Sequence, residues 1–521
     1  MSQTERIPAG HPKGLYLLFT VEMWERFSYY GMRAILVLFM VKFLVFTTEQ
    51  AGDLYGWYTS LVYLTPLLGG YLADRYLGQR RSIVIGALVM ALGEFALMGA
   101  GLSMTPKEQV VPIVLTKDQA AAFAANPDAA LELASPQKDA VGSVWKNFKS
   151  ATARVAKENV DGKGCVALTV RGDGLVSTAM PAIPGRTLTL FGLGLALLIL
   201  GNGFFKPNIS TTVGQLYGQN DPRRDGAFTI FYMGINLGAF FSPLICGTLG
   251  EKYGWHWGFA AAGTGMLAGL TVYFWGQHKY LGEAGLHPAG APKKTGAAAH
   301  EPLTKAEWQR IAVVFVLVFF NIFFWSAFEL AGSALTLFAD RSTDRVLPIV
   351  NWEFPASWYQ SVNPALIFIL APLFSGLWLK LARARREPST PNKMALGLAM
   401  LTAGMLVMVF AANLVGKSGG KVSALWLTGC YFMCTLGELC LSPVGLSAVT
   451  KLAPARFGSL MMGTWFLSNA AANYLQGAFA GQYDNLPLTT FYLVPVGAAS
   501  VSAIVLLALA PKLRQWMHGI H

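Results

Sequence analysis

"VEMWERFSYYGMR", residues 21–33, interrupts a stretch that is otherwise apolar enough to cross a bilayer, and it carries Glu22, Glu25, Arg26 and Arg33. With Tyr29 and Tyr30, these residues fall at i, i+3, i+4, i+7, i+8 and i+11, which is one continuous face of an α-helix. Lipid cannot be the environment of that face. A charged side chain at mid-bilayer costs roughly 2.5 to 3.5 kcal/mol even on the lenient insertion scale. The stripe must face protein or a wet cavity and find its partners in other spans.

The rest of the chain supplies those spans. Across 521 residues, 54% are hydrophobic and only 13% charged, which is far too apolar for a soluble protein of this size. Stretches of about 20 mostly apolar residues place spans near 15–45, 53–76, 81–104, 186–216, 226–250 and 255–277. Six more follow near 308–341, 356–383, 393–413, 422–450, 456–480 and 487–511. The fold expected is all-α and integral to the membrane, with twelve transmembrane helices in two six-helix bundles.

The net charge of +12 does not call for nucleic acid. Arg75, Arg80, Arg81, Arg223, Arg224, Lys279, Arg383, Arg385, Arg386 and Lys451 fall on one side of the predicted topology, while short loops on the other side are poor in Lys and Arg. By the positive-inside rule both termini are cytoplasmic and the protein lies in the cytoplasmic membrane. The 105–185 loop breaks the rule, as long translocated loops do. Residues 1–14 are polar and offer no cleavable signal sequence.

Two halves are expected, 1–277 and 308–521, joined by a Gly-, Ala-, Pro- and Lys-rich cytoplasmic linker at 278–307. A weak repeat relates them: Gly201-x5-Pro207 in the fourth span echoes Gly437-x5-Pro443 in the tenth. Repeated halves put substrate sites at their interface near the bilayer midplane. The 105–185 insertion reads as a periplasmic elaboration, with an amphipathic helix through Val141, Trp145, Phe148, Thr152 and Val155 and a strand "CVALTV" before a turn at "RGDG".

Partners for the stripe are visible in other spans as Lys206, Glu329 and Glu438. Fully ionised, the four acids and three bases sum to minus one, so a single proton would neutralise the cluster. A packing role alone is the competing reading, but buried pairs often stabilise no better than apolar residues. A cavity that binds a zwitterion or moves protons explains the cluster better. Tyr63, Asn236, Asn363, Ser442, Trp325 and Trp465 add polar and aromatic groups in neighbouring spans, while Glu94 has no evident partner. Cys165 lies in the outer loop and the other cysteines in spans, where they need no metal; no nucleotide-binding loop is present.

"EMWERFSYYGMRAIL" resembles the E-x-x-E-R-F signature of the proton-dependent oligopeptide transporters, a branch of the major facilitator superfamily. "GGYLADRYLGQRRSI" (69–83), "GNGFFKPNIS" (201–210), "FYMGINLGAF" (231–240), "FWSAFELAGSAL" (324–335), "SVNPALIFILAPLF" (361–374) and "GELCLSPVGLSAVTKLAP" (437–454) agree with it in order. The resemblance implies a major facilitator fold and a proton symporter importing di- and tripeptides by alternating access, with no cofactor beyond the coupling protons. It implies that Arg26 and Lys206 hold the peptide carboxylate and that Glu438, helped by Asn236 and Asn363, takes the amino terminus. It also implies that Tyr30, Tyr63, Trp325 and Trp465 line side-chain pockets, that Glu22 and Glu25 sense the proton with Arg26, and that Arg33 and Glu329 form an outer gate. Ser442 joins the substrate set, and the transporter is expected to act as a monomer. The chain departs from many bacterial relatives in lacking two extra helices between its halves and in carrying the long outer loop. A membrane enzyme, a peptide-sensing receptor and a carrier of another small metabolite are the rival readings. Only an enzyme would turn over substrate in detergent, and only a receptor would bind peptide without accumulating it.

Overall fold

The helices begin and end where local chemistry tells them to. At the start of α2 (Thr48–Leu72), the Thr47 hydroxyl accepts from Gln50 N–H while the Gln50 side chain accepts from Thr47 N–H. The same reciprocal capping by Thr304 and Glu307 starts α7 (Lys305–Phe328). Each box satisfies donors that a helix N-terminus otherwise leaves open. At the other extreme, α9 (Thr390–Ser418) stops at Gly419, whose φ of 63° supplies the left-handed turn that ends many helices.

The computed structural model describes residues 10–44, 46–103, 167–170, 176–179, 184–218, 221, 223–288, 303–454 and 457–520. Its remaining long helices are α1 (Lys13–Lys42), α3 (Gln79–Leu102), α4 (Gly185–Gln215), α5 (Arg224–Ser242), α6 (Trp255–Tyr280), α8 (Val362–Arg383), α10 (Ala424–Leu452), α11 (Gly458–Ala480) and α12 (Leu488–Trp516). Wider π turns at Ala73–Leu77 and at Pro243–Gly247 and Leu249–Tyr253 extend α2 and α5. Among the described residues, eight helical stretches are long and apolar enough throughout to cross a membrane. The others include α1, whose charges are buried in protein.

In the first bundle α3 lies along α4, and α1 packs on α5 and α6; in the second, α9 lies along α10 and α12, and α7 packs on α11. The bundles meet through α2 against α11 and α5 against α8. The weak repeat has a structural meaning. A methyl group at Gly201 would sit 2.7 Å from the Gly86 carbonyl oxygen, and one at Gly437 would sit 2.6 Å from that of Gly397. In each bundle the glycine lets the backbones of the third and fourth helices touch.

The seventh span is not the single helix that its hydropathy suggests. It breaks after Phe328 into a 3-10 turn, Glu329–Gly332, and resumes as a short helix, Ala334–Ser342. Ser333, at φ −133° and ψ −89°, is the joint. Gly332 is needed beside it, because any side chain there would run into the Tyr55 hydroxyl and the Arg33 guanidinium.

In the insertion, β1 (Ala167–Val170) and β2 (Val176–Ala179) form an antiparallel pair with Val170 opposite Val176. This matches the expected strand. The expected Val141–Val155 helix, the "RGDG" turn and Cys165 lie outside the described residues. In the connection between α4 and α5, two side-chain hydrogen bonds from Arg223 hold the Asp221 carboxyl down at about 2. That turn keeps its ion pair at any physiological pH.

Where α2 meets α11, the contact is backbone on backbone. A methyl group at Gly56 would sit 2.8 Å from Gly477 Cα, and one at Gly52 would sit 2.5 Å from Gly481 N. Only glycine allows this approach. Gly477→Val is therefore expected to cost about 1 to 3 kcal/mol, the usual penalty for overpacking, and to lower the thermal unfolding midpoint of the purified protein. An unchanged midpoint would show that these helices do not rest in contact.

Candidate functional site

The charged stripe of α1 is buried, as its cost in lipid requires. Glu22, Glu25 and Arg26 are 2%, 0% and 2% exposed. Arg26 folds back to hold Glu25 with both teeth of its fork: Nε donates to Oε2, and Nη2 to Oε1 at 2.8 Å. Its Nε also lies 3.1 Å from Glu22 Oε1, while Glu22 Oε2 has no hydrogen-bond partner among the described residues. Two carboxylates thus share one guanidinium, and the guanidinium carbon sits 5.4 Å from the Tyr29 ring centroid.

Lys206, from α4, is placed differently. Its Nζ sits 4.7 Å from the Tyr63 ring centroid, and among the described residues no carboxylate lies within ion-pair distance. Glu22, Glu25 and Arg26 are within its electrostatic reach. It is a cation held by an aromatic face beside a cluster that is already paired.

About two turns past Arg26 on the same stripe, Arg33 joins the bundles. Its Nη2 donates to Glu329, at the break of the seventh span, and its Nε donates to Tyr55 Oη at 2.6 Å. Beyond this point Lys42 Nζ meets Asp340 Oδ1 at 2.5 Å, and Thr48 Oγ1 donates to Asp484 Oδ2 at 2.6 Å. Each of these contacts ties α1 or α2 to the second bundle. With the glycine contact of α2 and α11 they close one end of the interface.

The cavity lies toward the opposite end. It has a volume of about 1110 Å³ and reaches from Glu438 and Ser442 in α10, past Tyr232 of α5, to the C-terminal ends of α8, α10 and α12. Glu438 accepts from Asn363 Nδ2 at 2.8 Å, and the same amide nitrogen donates to Thr435 Oγ1 at 3.0 Å. Among the described residues no cation is paired with Glu438. Tyr30 of α1 lies within electrostatic reach of both Arg26 and Glu438.

The structure brings most of the expected residues together in pairs: Arg26 with Glu22 and Glu25, Lys206 with Tyr63, Arg33 with Glu329, and Glu438 with Asn363. Asn236 does not reach Glu438 by a hydrogen bond; its amide donates to the Tyr232 carbonyl of its own helix at 3.0 Å. Trp325 packs against Phe324 and Phe328 with its buried Nε1 unpartnered, and Trp465 lies beneath Gly445. Tyr55, Thr435 and the Lys42–Asp340 pair were missed by sequence reasoning. Lone polar residues near span ends give no signal without the contact partner. Glu94, fully buried in α3, receives among the described residues only a long hydrogen bond of 3.4 Å from Ser28. Among the described residues no cluster of three or more His, Cys, Asp or Glu is placed to hold a metal.

Known proteins resemble this chain over nearly its whole length. The uncharacterized transporter YclF of Bacillus subtilis is 33% identical, over 98% of this chain and 96% of its own length. The peptide transporter YePEPT of Yersinia enterocolitica is 32% identical, over 96% and 94%. A crystal structure of peptide transporter POT in complex with sulfate superposes with a TM-score of 0.75 at 32% identity, covering 99% of this chain and 98% of that one. The sequence profile of the POT family matches residues 80–284 and 293–496. The chain belongs to the POT family.

Proposed function

We propose that this transporter imports di- and tripeptides together with protons across the cytoplasmic membrane, by alternating access, as a monomer with both termini in the cytoplasm. Residues 1–277 and 308–521 form its two bundles and 278–307 the cytoplasmic linker. The observation that carries the reading is a pair of unmatched charges on opposite bundles. Lys206 has no carboxylate partner and Glu438 no cation among the described residues. A zwitterion completes both at once.

Arg26 and Lys206 receive the peptide carboxylate. The planar fork of Arg suits two oxygens, and Lys adds a movable point charge. Glu438, oriented by Asn363, takes the amino terminus, with Ser442 and Asn236 nearby. Tyr30, Tyr63, Trp325 and Trp465 offer aromatic walls that tolerate varied side chains. Arg33 and Glu329 gate the outer side.

Coupling follows from the shared guanidinium. Protonating Glu22 or Glu25 weakens its hold on Arg26 and frees that cation for the substrate, so proton and peptide favour the same state. The two acids titrate as a group with Arg26 between them. The driving force is about 2.3 kcal/mol per charge for each 100 mV, plus about 1.4 kcal/mol per pH unit.

The test is uptake of labelled dialanine into liposomes holding the pure protein, with an inside-negative potential and an inward proton gradient. The native chain is expected to accumulate peptide. Glu25→Gln is expected to lose driven accumulation and keep counterflow exchange. If neither folded protein moves dipeptide in either mode, the assignment fails and a receptor or a carrier of another metabolite takes its place.

A further inference from the structure

The inner end of the cavity carries chemistry that peptide binding does not use. Below Ser442 its walls turn apolar at Phe374 and Leu446, and it ends among Arg385, Lys393, Lys451 and Arg514, which come from four different segments. One carboxylate, Glu387, faces those four cations, and Lys393 Nζ engages it at 2.5 Å. The same ammonium lies 4.7 Å from the Trp378 ring centroid. Trp378 Nε1 is buried in the cavity wall with no acceptor among the described residues. Beside it α9 starts at Thr390, and the Ser389 side chain makes no capping bond. Indole N–H and helix N-terminus are therefore donors awaiting an acceptor, next to a surplus of positive charge.

We infer that this pocket binds the phosphate of an anionic phospholipid of the inner leaflet. The headgroup lies among the basic residues, and an acyl chain runs along the apolar wall between α8 and α10. A small soluble anion would use the charges but leave that wall unfilled. Leu373 and Leu377, on the outward side of α8, are 64% and 44% exposed, which opens that helix to lipid. Basic pockets between helices on the cytoplasmic side are where anionic headgroups lodge. The inference rests on the cytoplasmic placement of the termini proposed above, and it is independent of what the transporter carries.

The experiment is native mass spectrometry of the full chain released from detergent, after exposure to phosphatidylglycerol, phosphatidylethanolamine or inorganic phosphate. Phosphatidylglycerol is expected to stay bound at least about tenfold better than phosphatidylethanolamine. The double variant Arg385→Ala/Arg514→Ala is expected to lose about 10- to 30-fold of that retention, the effect of removing two basic groups near an anionic headgroup. Dialanine counterflow in phosphatidylethanolamine liposomes should remain, which also shows that the variant is folded. Equal retention of the two lipids, or a double variant that binds as the native chain does, overturns the proposal. So does displacement of phosphatidylglycerol by millimolar phosphate, which would make the ligand a soluble anion. Any of these leaves peptide uptake unaffected, so failure here is separable from failure of the transport assignment.

Discussion

Arg26→Ala is expected to lower dialanine counterflow by about 100-fold and to abolish driven uptake. Hydrogen bonds to charged groups contribute about 1.5 to 3 kcal/mol, and each 1.4 kcal/mol is tenfold. Under the proposed binding mode, losing the fork for the substrate carboxylate accounts for the counterflow defect. The loss of driven uptake has a second cause. Without Arg26, Glu22 and Glu25 become buried acids with no neighbouring cation on their helix, and Glu22 already has one oxygen without a partner. Protonating either acid then has no Arg26 to release, so the gradient loses the step through which it favours substrate. Arg26→Lys separates the two effects: a point charge keeps the acids ionisable but cannot bind two oxygens in parallel. Its driven uptake should lie between the native and alanine proteins. Alanine and lysine variants that both transport at native rates would remove Arg26 from the site.

The second large effect concerns the closed end. Glu329→Arg sets two guanidiniums against each other where Arg33 and Glu329 are 6% and 5% exposed. Breaking a buried pair in this way costs about 3 to 5 kcal/mol, so uptake is expected to fall by at least about 100-fold. Arg33→Glu combined with Glu329→Arg restores the attraction with reversed polarity. The Tyr55 hydroxyl that now accepts from Arg33 can equally donate to a carboxylate at that position. The double swap is expected to recover at least about tenfold over either single change. Liposome uptake by folded protein decides it. A double swap as inactive as the single variants would mean that the pair serves some end other than gating.

The architecture was largely legible in the sequence because lipid imposes one rule everywhere. Spans must be apolar, and the exceptions must face inward, so the burial of Glu22, Glu25, Arg26 and Arg33 in protein was legible through their spacing alone. The repeat Gly201 and Gly437 was visible as a pattern, but its cause, backbone contact with Gly86 and Gly397, needed coordinates. The break at Ser333 was hidden because hydropathy averages over a window and is blind to backbone angles. The site was legible as a set of charges and not as a set of pairs. Tyr55 looks like any interfacial aromatic until Arg33 is placed beside it. Asn236 was visible as an intramembrane polar residue, but the hydrogen bond it makes to the carbonyl four residues back in its own helix was not. Lys42 and Asp340 are nearly 300 positions apart in the chain, and no local pattern joins them.

The interruption of the seventh span has a mechanical consequence. Because its hydrogen-bond ladder is already cut at Ser333, the nine residues Ala334–Ser342 form a hinged flap, and swinging it requires no helix to melt. Glu329 sits at the pivot and Asp340 near the far end, latched by Arg33 and Lys42 respectively, where Arg341 also meets Asp484 and Thr343 pairs with Val422. The two latches act at different lever arms. Releasing Asp340 alone loosens the far end, whereas releasing Glu329 frees the axle, so under the proposed gating the order in which they let go sets how that end opens.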